Sequence, residues 1–309
     1  ISGMQRVFFA NSGAEANEAA IKLARLYGKQ KDIQDPAIIV MQNSFHGRTL
    51  ATLSATGNRK VQAGFEPLVS GFIRVPFADL EAIQAIAEKR QNIVAVLLEP
   101  IQGEGGIHIP DEHYLNGVRE LCDTHGWLMM LDEIQTGMGR TGKYFAFQHS
   151  GCTPDVLTLA KSLGNGFPMG ACLAHGAAAQ LFAPGHHGST FGGNPLACAA
   201  GLAVCQTLHA QNLPAQSAKR GAQLLAGLQQ QLGHMAGVKE IRAQGLMLGI
   251  ELDRPCAELV GQALQAGLLI NVTAERVIRL LPPLIITEAE VAQLIEQLSA
   301  LIQRFLADT

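Results

Sequence analysis

The sequence has little of several features that mark other classes of protein. Aromatic residues make up only 5% of its 309 residues and charged residues only 16%, and the net charge of -3 leaves no basic excess. Nucleic-acid binding needs clustered lysine and arginine, so that function is disfavoured. No apolar run reaches the length of a membrane-spanning helix. The six cysteines form no CxxC pair and lie mostly in apolar stretches, which predicts reduced core residues in a cytoplasmic protein.

An initiator methionine is also missing. The chain begins at Ile1, a few residues before a functional-looking motif, and it has no signal peptide, repeat or low-complexity tract. We therefore expect the natural protein to have a further segment ahead of Ile1.

What the sequence does have is the composition of a large α/β protein. Hydrophobic residues make up 48% of it, and most of its 33 glycines lie beside apolar runs, as loops between strands and helices require. Strands and helices alternate regularly to about residue 210 and less regularly afterwards. We predict a large domain at 1–208, with a mostly parallel sheet flanked by helices, and a small C-terminal α+β domain at 209–309.

Three elements of the C-terminal part are predicted from pattern alone. The run 239–252 is predicted as one strand, and 256–266 as a helix. A last helix is predicted to begin at Thr287, with a capping box between Thr287 and Glu290.

One lysine stands between an apolar strand and a glycine-rich bend. The strand covers 157–160, and Lys161 follows it directly. Burial lowers the pKa of a lysine, and an amine so placed can condense with a carbonyl group. A surface lysine beside a turn would give the same pattern. Other motifs therefore have to show whether the chain binds a carbonyl-bearing cofactor for this amine.

A strand–turn–helix pattern near the start is typical of phosphate binding. A short strand at 7–10 leads into Asn11, Ser12 and Gly13, and a helix follows. Asn11 or Ser12 can cap that helix, and its first N–H groups can hold a phosphate. An ordinary capped strand–helix unit would look the same.

The strand at 37–41 is followed by a second cluster of candidate residues. Phe45 can provide a flat surface for an aromatic ligand, and Arg48 can bind a carboxylate with its planar guanidinium. His46 is expected to support the site through hydrogen bonds rather than act as a base. The alternatives are that Phe45 is a core residue and that Arg48 forms a surface ion pair.

An acidic residue directly follows the strongly apolar run at 128–131. Asp132 would be costly there without a cationic partner, and a protonated heterocyclic nitrogen would be such a partner. Gln135 follows on the next turn and can reach a ring substituent. The alternative for Asp132 is a helix N-cap.

Acids also follow the strand at 93–98. Glu99 and Glu104 lie in a glycine-rich loop at its C-terminal end, where ligands of α/β sheets usually bind. Arg279 precedes two prolines and is expected to point back towards the same crevice.

Two further patterns are judged differently. The GxGxxG run at 137–142 invites a dinucleotide interpretation, but it neither follows a strand directly nor opens a helix, so we disfavour it. His186 and His187 lack acid or cysteine partners at metal-ligand spacing, so no metal is expected. Ser189 and Thr190 in the same polar loop can bind phosphate oxygens.

Taken together, six motifs resemble those of the class III aminotransferases, which carry pyridoxal 5'-phosphate on a fold-type I scaffold. The likeness covers essentially the whole chain and, within the class, is nearest to the acetylornithine aminotransferases. The motifs are NSGAEANEAA at 11–20, SFHGRT at 44–49, LEPIQGEGG at 98–106, LDEIQTGMGRTG at 131–142, LAKSLGNGFPMGA at 159–171 and STFGGNPLACAA at 189–200.

The resemblance implies a role for each motif residue at the ring. Lys161 would carry the cofactor through its amine and later move a proton. Asp132 would pair with the pyridine nitrogen, Gln135 would approach the ring hydroxyl, and Phe45 would stack on one ring face.

The same resemblance implies how the phosphate is bound. Gly13 and Ala14, with Ser12 nearby, would offer N–H groups to it. Thr190, beside Ser189, would reach the phosphate of a neighbouring subunit, which implies a homodimer with shared active sites.

Substrate binding is implied at three charged residues. Arg48 would bind a substrate carboxylate. Glu104 would cover Arg279 while an acylated diamine is bound and release it for the α-carboxylate of glutamate.

The implied reaction transfers the terminal amino group of N2-acetylornithine to 2-oxoglutarate, as in arginine biosynthesis. Same-fold alternatives would use succinylornithine, ornithine, 4-aminobutyrate or succinyl-diaminopimelate, or would act as an aminomutase. An NAD-dependent oxidoreductase and a non-catalytic protein of the same fold are the remaining alternatives.

Overall fold

The computed structural model describes residues 1–307, which group into two compact units. The first comprises 1–100, 110–138 and 145–207, and the second comprises 101–109, 139–144 and the described residues from 208 onwards. Two short segments of the first 208 residues therefore group with the C-terminal unit. The division at 208/209 into two domains stays a prediction.

The first unit is built on a seven-stranded sheet in the order β1-β7-β6-β5-β4-β2-β3. Its strands are β1 (Arg6–Ala10), β2 (Ala37–Met41), β3 (Phe72–Val75), β4 (Ile93–Leu98), β5 (Leu128–Asp132), β6 (Val156–Leu159) and β7 (Gly170–Ala174). Neighbours from β3 through β2, β4 and β5 to β6 are parallel, whereas β7 is antiparallel to both β6 and β1. The mostly parallel sheet predicted from the sequence is thereby confirmed.

Helices and short 3-10 segments connect these strands or follow the last of them. They are α1 (Gly13–Gln30), α2 (Leu50–Ala55), α3 (Arg59–Gln62), α4 (Leu80–Lys89), α5 (Tyr114–His125) and α6 (Pro195–Ala210), with 3-10 segments at Ala146–His149, Lys161–Leu163 and Gly176–Gln180. No helix among the described residues is long and apolar enough to cross a membrane.

The central strands are buried along their whole length, and this fixes where polar groups can lie. All residues of β2, β4, β5 and β6 are buried, as expected for a parallel sheet covered on both faces. Since β1, β2, β4, β5 and β6 share one direction, the segments that follow them all emerge at the same edge of the sheet.

The second unit contains a four-stranded antiparallel sheet in the order β10-β11-β9-β8. Its elements are α7 (Leu213–Leu232), β8 (Val238–Gln244), β9 (Met247–Leu252), α8 (Leu259–Gln265), β10 (Asn271–Thr273), β11 (Val277–Leu280) and α9 (Glu288–Ala307).

The prediction of one strand at 239–252 was wrong, because this run is a hairpin of β8 and β9. Gly245 lies at the turn with a positive φ of 56°, and a Cβ there would lie 2.4 Å from the carbonyl carbon of Thr141. The capping box before the last helix is confirmed: the N–H of Thr287 donates to Glu290, and the N–H of Glu290 donates to the Thr287 hydroxyl.

Candidate active site

A buried carboxylate lies at the centre of the sheet edge where the parallel strands end. Asp132, the last residue of β5, is only 3% exposed. Its Oδ2 accepts a hydrogen bond from Asn17 Nδ2 at 2.7 Å and lies 2.8 Å from His46 Nδ1, while its Oδ1 accepts the N–H of Ile134 at 3.1 Å. The donors that surround it suit a carboxylate.

This arrangement leaves one acceptor position open on Asp132. A carboxylate oxygen accepts two hydrogen bonds, so Oδ2 is fully used by Asn17 and His46. Oδ1 has a single described donor, the N–H of Ile134, and can accept a second one. The sequence left open that Asp132 is a helix N-cap. This alternative is excluded, because no helix begins between 133 and 145 and the Asp132 side chain accepts the N–H of Ile134 in a turn instead.

Lys161 follows the neighbouring strand, β6, which pairs with β5 so that Asp132 lies opposite Thr158. It opens the 3-10 segment that ends at Leu163, and its side chain is exposed in the single chain. Its backbone is left-handed, with a φ of 46°. Such a conformation is unfavourable for a residue with a side chain and is concentrated at functional sites.

The turn after β1 has the features of an anion-binding site. Ser12 caps α1 by accepting the N–H of Glu15 at 3.2 Å, whereas the N–H groups of Gly13 and Ala14 have no acceptor among residues 1–307. Gly170 allows this turn to lie close to β7, because a Cβ there would lie 2.2 Å from the carbonyl oxygen of Ser12. Two donors of a helix N-terminus therefore remain available.

The aromatic candidate, Phe45, is held by its backbone. Its N–H donates to Oε1 of the buried Glu99 at 2.7 Å, and its ring is half-buried. Glu99 lies at the same edge of the sheet as Phe45 because it directly follows β4. Gln135 is half-buried in the turn after β5 and makes interactions of its own.

Arg48 is exposed and is not used by the fold. It forms no ion pair or hydrogen bond within the part of the chain that the structure describes. The surface ion pair that the sequence left open is therefore not formed, and the guanidinium is available for a ligand.

The polar loop before α6 is tied to the anion-binding turn at one residue. Ser189 Oγ accepts a hydrogen bond from Asn11 Nδ2 at 3.1 Å and another from the N–H of Gly192 at 3.1 Å. Thr190, the next residue, is exposed. Within one chain the structure thus brings Ser189, but not Thr190, into contact with the turn at Asn11.

The second unit holds the other two candidate residues together. Arg279 on β11 donates from Nη1 to Glu104 Oε1 at 2.7 Å and from Nη2 to Asn271 Oδ1 at 3.2 Å. Thr273 also donates a hydrogen bond to the carbonyl oxygen of Glu104. The acid and the arginine that the family resemblance paired therefore form an ion pair in this structure.

The GxGxxG run at 137–142 lies in successive turns, and the next regular segment is the 3-10 segment at Ala146–His149. Because no helix opens at these glycines, they do not form a dinucleotide-binding turn.

A family model described as aminotransferase class-III matches residues 1–302. The chain belongs to the class III aminotransferases. It is accordingly an aminotransferase that depends on pyridoxal 5'-phosphate.

Relatives of this class III chain are similar over nearly its whole length. The acetylornithine aminotransferase of Nitrosomonas europaea is 56% identical over 306 residues, which cover 99% of this chain and 78% of that protein. Acetylornithine aminotransferase 1 of Bordetella bronchiseptica is 57% identical over 307 residues, with the same coverage.

Solved structures of aminotransferases have the same fold. The ornithine aminotransferase of Toxoplasma gondii ME49 superposes with a TM-score of 0.96 at 35% identity, covering 100% of this chain and 75% of that one. The acetylornithine aminotransferase of Elizabethkingia anophelis gives a TM-score of 0.85 at 35% identity, covering 98% and 75%. The predicted fold-type I architecture is confirmed.

The residues of this class III site fit pyridoxal 5'-phosphate. The open acceptor position on Asp132 Oδ1 suits a protonated ring nitrogen, and the available N–H groups of Gly13 and Ala14 suit a phosphate.

Sequence reasoning missed two buried polar residues of this site. Asn17 on α1 and Thr158 on β6 are 0% and 1% exposed, and both belong to the network behind Asp132. A signal for Asn17 was present, because asparagine is a poor helix former and stands among alanines on the buried face of α1.

Glu133, the neighbour of Asp132, should make the stability of this class III enzyme depend on pH. Burial raises the pKa of its carboxyl from 4.5 to about 7, outweighing hydrogen bonds from the N–H groups of Phe147 and Ala146 and from the Thr136 hydroxyl. Between pH 4.5 and about pH 7 the folded state keeps a proton on Glu133 that the unfolded chain has released, so the free energy of unfolding falls as the pH rises. At roughly 1.4 kcal/mol per unit, the fall amounts to at most about 3 kcal/mol.

Glu133→Gln removes this titration while keeping the shape of the side chain. We expect the variant to lose less stability than the wild type between pH 5 and pH 8 in denaturant titrations, and the exposed Glu120→Gln to behave like the wild type. Equal pH dependence of Glu133→Gln and the wild type would contradict the assignment.

Proposed function

We propose that this aminotransferase transfers the terminal amino group of N2-acetylornithine to 2-oxoglutarate, giving N-acetylglutamate semialdehyde and glutamate in arginine biosynthesis. The observation that carries the proposal is the 56–57% identity, over 99% of this chain, to relatives named acetylornithine aminotransferase. A cytoplasmic location is part of the proposal and is supported by six free cysteines.

We propose nine residues as the cofactor site. They are Ser12, Gly13, Ala14, Phe45, Asp132, Gln135, Lys161, Ser189 and Thr190. When bound, the cofactor supplies an electron sink for the substrate carbon that loses its proton.

The protein residues hold and move the protons of this reaction. With the cofactor bound, Asp132 Oδ1 would accept a hydrogen bond from the ring nitrogen and so favour its protonated form. Lys161 Nζ would hold the bound cofactor at rest and, once released from it, would be placed to move a proton at the substrate carbon. The left-handed backbone at Lys161 supports this role, since the fold maintains a costly conformation there.

Charged residues are proposed to bind the two substrates in turn. Arg48 binds a carboxylate, which is supported by its having no partner among the described residues. The Glu104–Arg279 ion pair is proposed as a switch: it stays closed for acetylornithine and opens so that Arg279 binds the α-carboxylate of glutamate.

Glu104→Ala should affect the two half-reactions unequally. Without the acid, Arg279 stays uncovered, so we expect the half-reaction with acetylornithine to slow several-fold to about 10-fold and the one with glutamate to change less. Single-turnover absorbance measurements with each donor test this. Glu258→Ala, which removes an exposed acid at the start of α8, is the control, and equal effects of Glu104→Ala on both donors would contradict the switch.

We propose a homodimer in which Thr190 of one chain contributes to the other chain's cofactor site. Exposed large apolar side chains next to Thr190 and on α6 support this, because Phe191, Leu196 and Leu202 are 68%, 65% and 58% exposed in the single chain. Sedimentation equilibrium should give a dimer, and Leu202→Glu should shift it towards monomer. A wild-type monomer at micromolar concentration would contradict the proposal.

A donor panel tests the function itself. With 2-oxoglutarate as acceptor, we expect kcat/KM for N2-acetylornithine to exceed that for ornithine, 4-aminobutyrate, succinylornithine and succinyl-diaminopimelate. A higher kcat/KM for any of these would reassign the donor while leaving the aminotransferase class intact.

A further inference from the structure

We propose that Thr158 and Asn17 are positioning residues that fix the orientation of the Asp132 carboxylate. The inference rests on the proposed role of Asp132 at the cofactor ring. Neither Thr158 nor Asn17 belongs to the proposed cofactor site, so both act through Asp132.

The contacts form a chain of hydrogen bonds across α1, β6 and β5. Thr158 Oγ1 donates to Asn17 Oδ1 at 2.8 Å. Asn17 Nδ2 donates to Asp132 Oδ2 at 2.7 Å and to the carbonyl oxygen of His46 at 2.8 Å. Asn17, Thr158 and Asp132 are all at most 3% exposed.

Only one orientation of the Asn17 amide satisfies these neighbours. Two acceptors, the Asp132 carboxylate and the His46 carbonyl, face its nitrogen, and a flipped amide would place an oxygen against both. The Thr158 hydroxyl supplies the donor that the amide oxygen then needs. Without that donor, the amide oxygen would be buried without a hydrogen bond, which is unfavourable.

The consequence for Asp132 is a fixed carboxylate plane. Asn17 and His46 occupy both acceptor positions of Oδ2, and Ile134 occupies one position of Oδ1. The remaining position of Oδ1 is thereby given a single direction. Preorganised groups of this kind lower the free energy of the charged state they face, without rearrangement during the reaction.

Thr158→Val tests the chain because it keeps the shape of the side chain and removes the donor. We expect the dissociation constant for pyridoxal 5'-phosphate to rise about 10-fold and kcat to fall about 10-fold, with KM for the donor within about twofold. The pH midpoint of the cofactor's visible absorbance should also move. Thr158→Ser keeps a hydroxyl. It should restore the dissociation constant and kcat to within about threefold of wild type and return the absorbance midpoint to the wild-type pH.

Thr136→Val is the matched control. Thr136 is buried, and its hydroxyl donates to the carboxylate of Glu133 at 3.1 Å, so the variant loses a comparable hydrogen bond outside the Asp132 network. We expect it to lower the melting temperature without changing the absorbance midpoint or kcat. If Thr158→Val does not fold, Thr158→Cys, with its weak S–H donor, should give intermediate effects.

The outcomes separate this inference from the proposed function. Wild-type protein that gains no visible absorbance with pyridoxal 5'-phosphate would overturn the proposed cofactor site itself. Wild-type protein that binds it, together with a folded Thr158→Val or Thr158→Cys variant that matches it in affinity, absorbance midpoint and kcat, would overturn only the positioning role. Equal spectral changes in Thr136→Val would overturn it as well.

Discussion

Lys161→Ala should lower kcat for amino-group transfer by about 10⁴-fold or more, the upper range for loss of a positioned proton-transfer group. In the proposed role the amine both holds the cofactor and moves the proton, so its removal would affect every turnover. Borohydride reduction of the wild type should leave the cofactor covalently on the peptide that contains residue 161. Steady-state rates and peptide mass spectrometry measure the two effects.

Two further substitutions separate the chemistry from the backbone. Lys89→Ala, at an exposed lysine on α4, should leave both rate and labelling unchanged. Lys161→Gly should be as inactive as Lys161→Ala but more stable without cofactor by about 1 kcal/mol, because glycine adopts a positive φ without steric cost. Covalent labelling at another lysine would contradict the assignment of Lys161.

Asp132→Asn should lower kcat by about 10²- to 10³-fold, the range for loss of a preorganised electrostatic partner. The amide has nearly the same shape but no charge, and it presents an N–H₂ group where Asn17, His46 and Ile134 all supply donors. The ring nitrogen would then lose its anionic partner. The rate of the first half-reaction, followed by stopped-flow absorbance, measures this loss.

Asp155→Asn is the control for this prediction. Asp155 accepts hydrogen bonds from Arg119 at 2.7 Å and from the N–H of Met129 at 2.8 Å, just before β6 begins. The variant should therefore lose stability in thermal unfolding and keep its kcat. A rate for Asp132→Asn within tenfold of the wild type would exclude Asp132 as the partner of the ring nitrogen.

The sequence was most informative where a strand ends in a polar residue. Asp132, Lys161 and Phe45 were all placed at or just after the ends of apolar strands, and the parallel sheet brings those ends to one edge. The hairpin at Gly245 was missed because a single glycine marks its turn, without the Asn-Gly or Asp-Gly pair that is the strongest hairpin signal. Asn17 was missed because the pattern of a helix does not show which distant polar groups a buried side chain meets.

The sequence by itself determined the class of this protein, since its six motifs and the alternation of strands and helices depend only on the order of residues along the chain. The tertiary structure alone decided which polar atoms meet. Asn17, His46, Asp132 and Thr158 come from four separate segments, and a hydrogen bond requires its atoms to lie within about 3 Å of each other. That proximity is created by packing α1 against β5 and β6, and it cannot be inferred from the spacing of the residues along the chain.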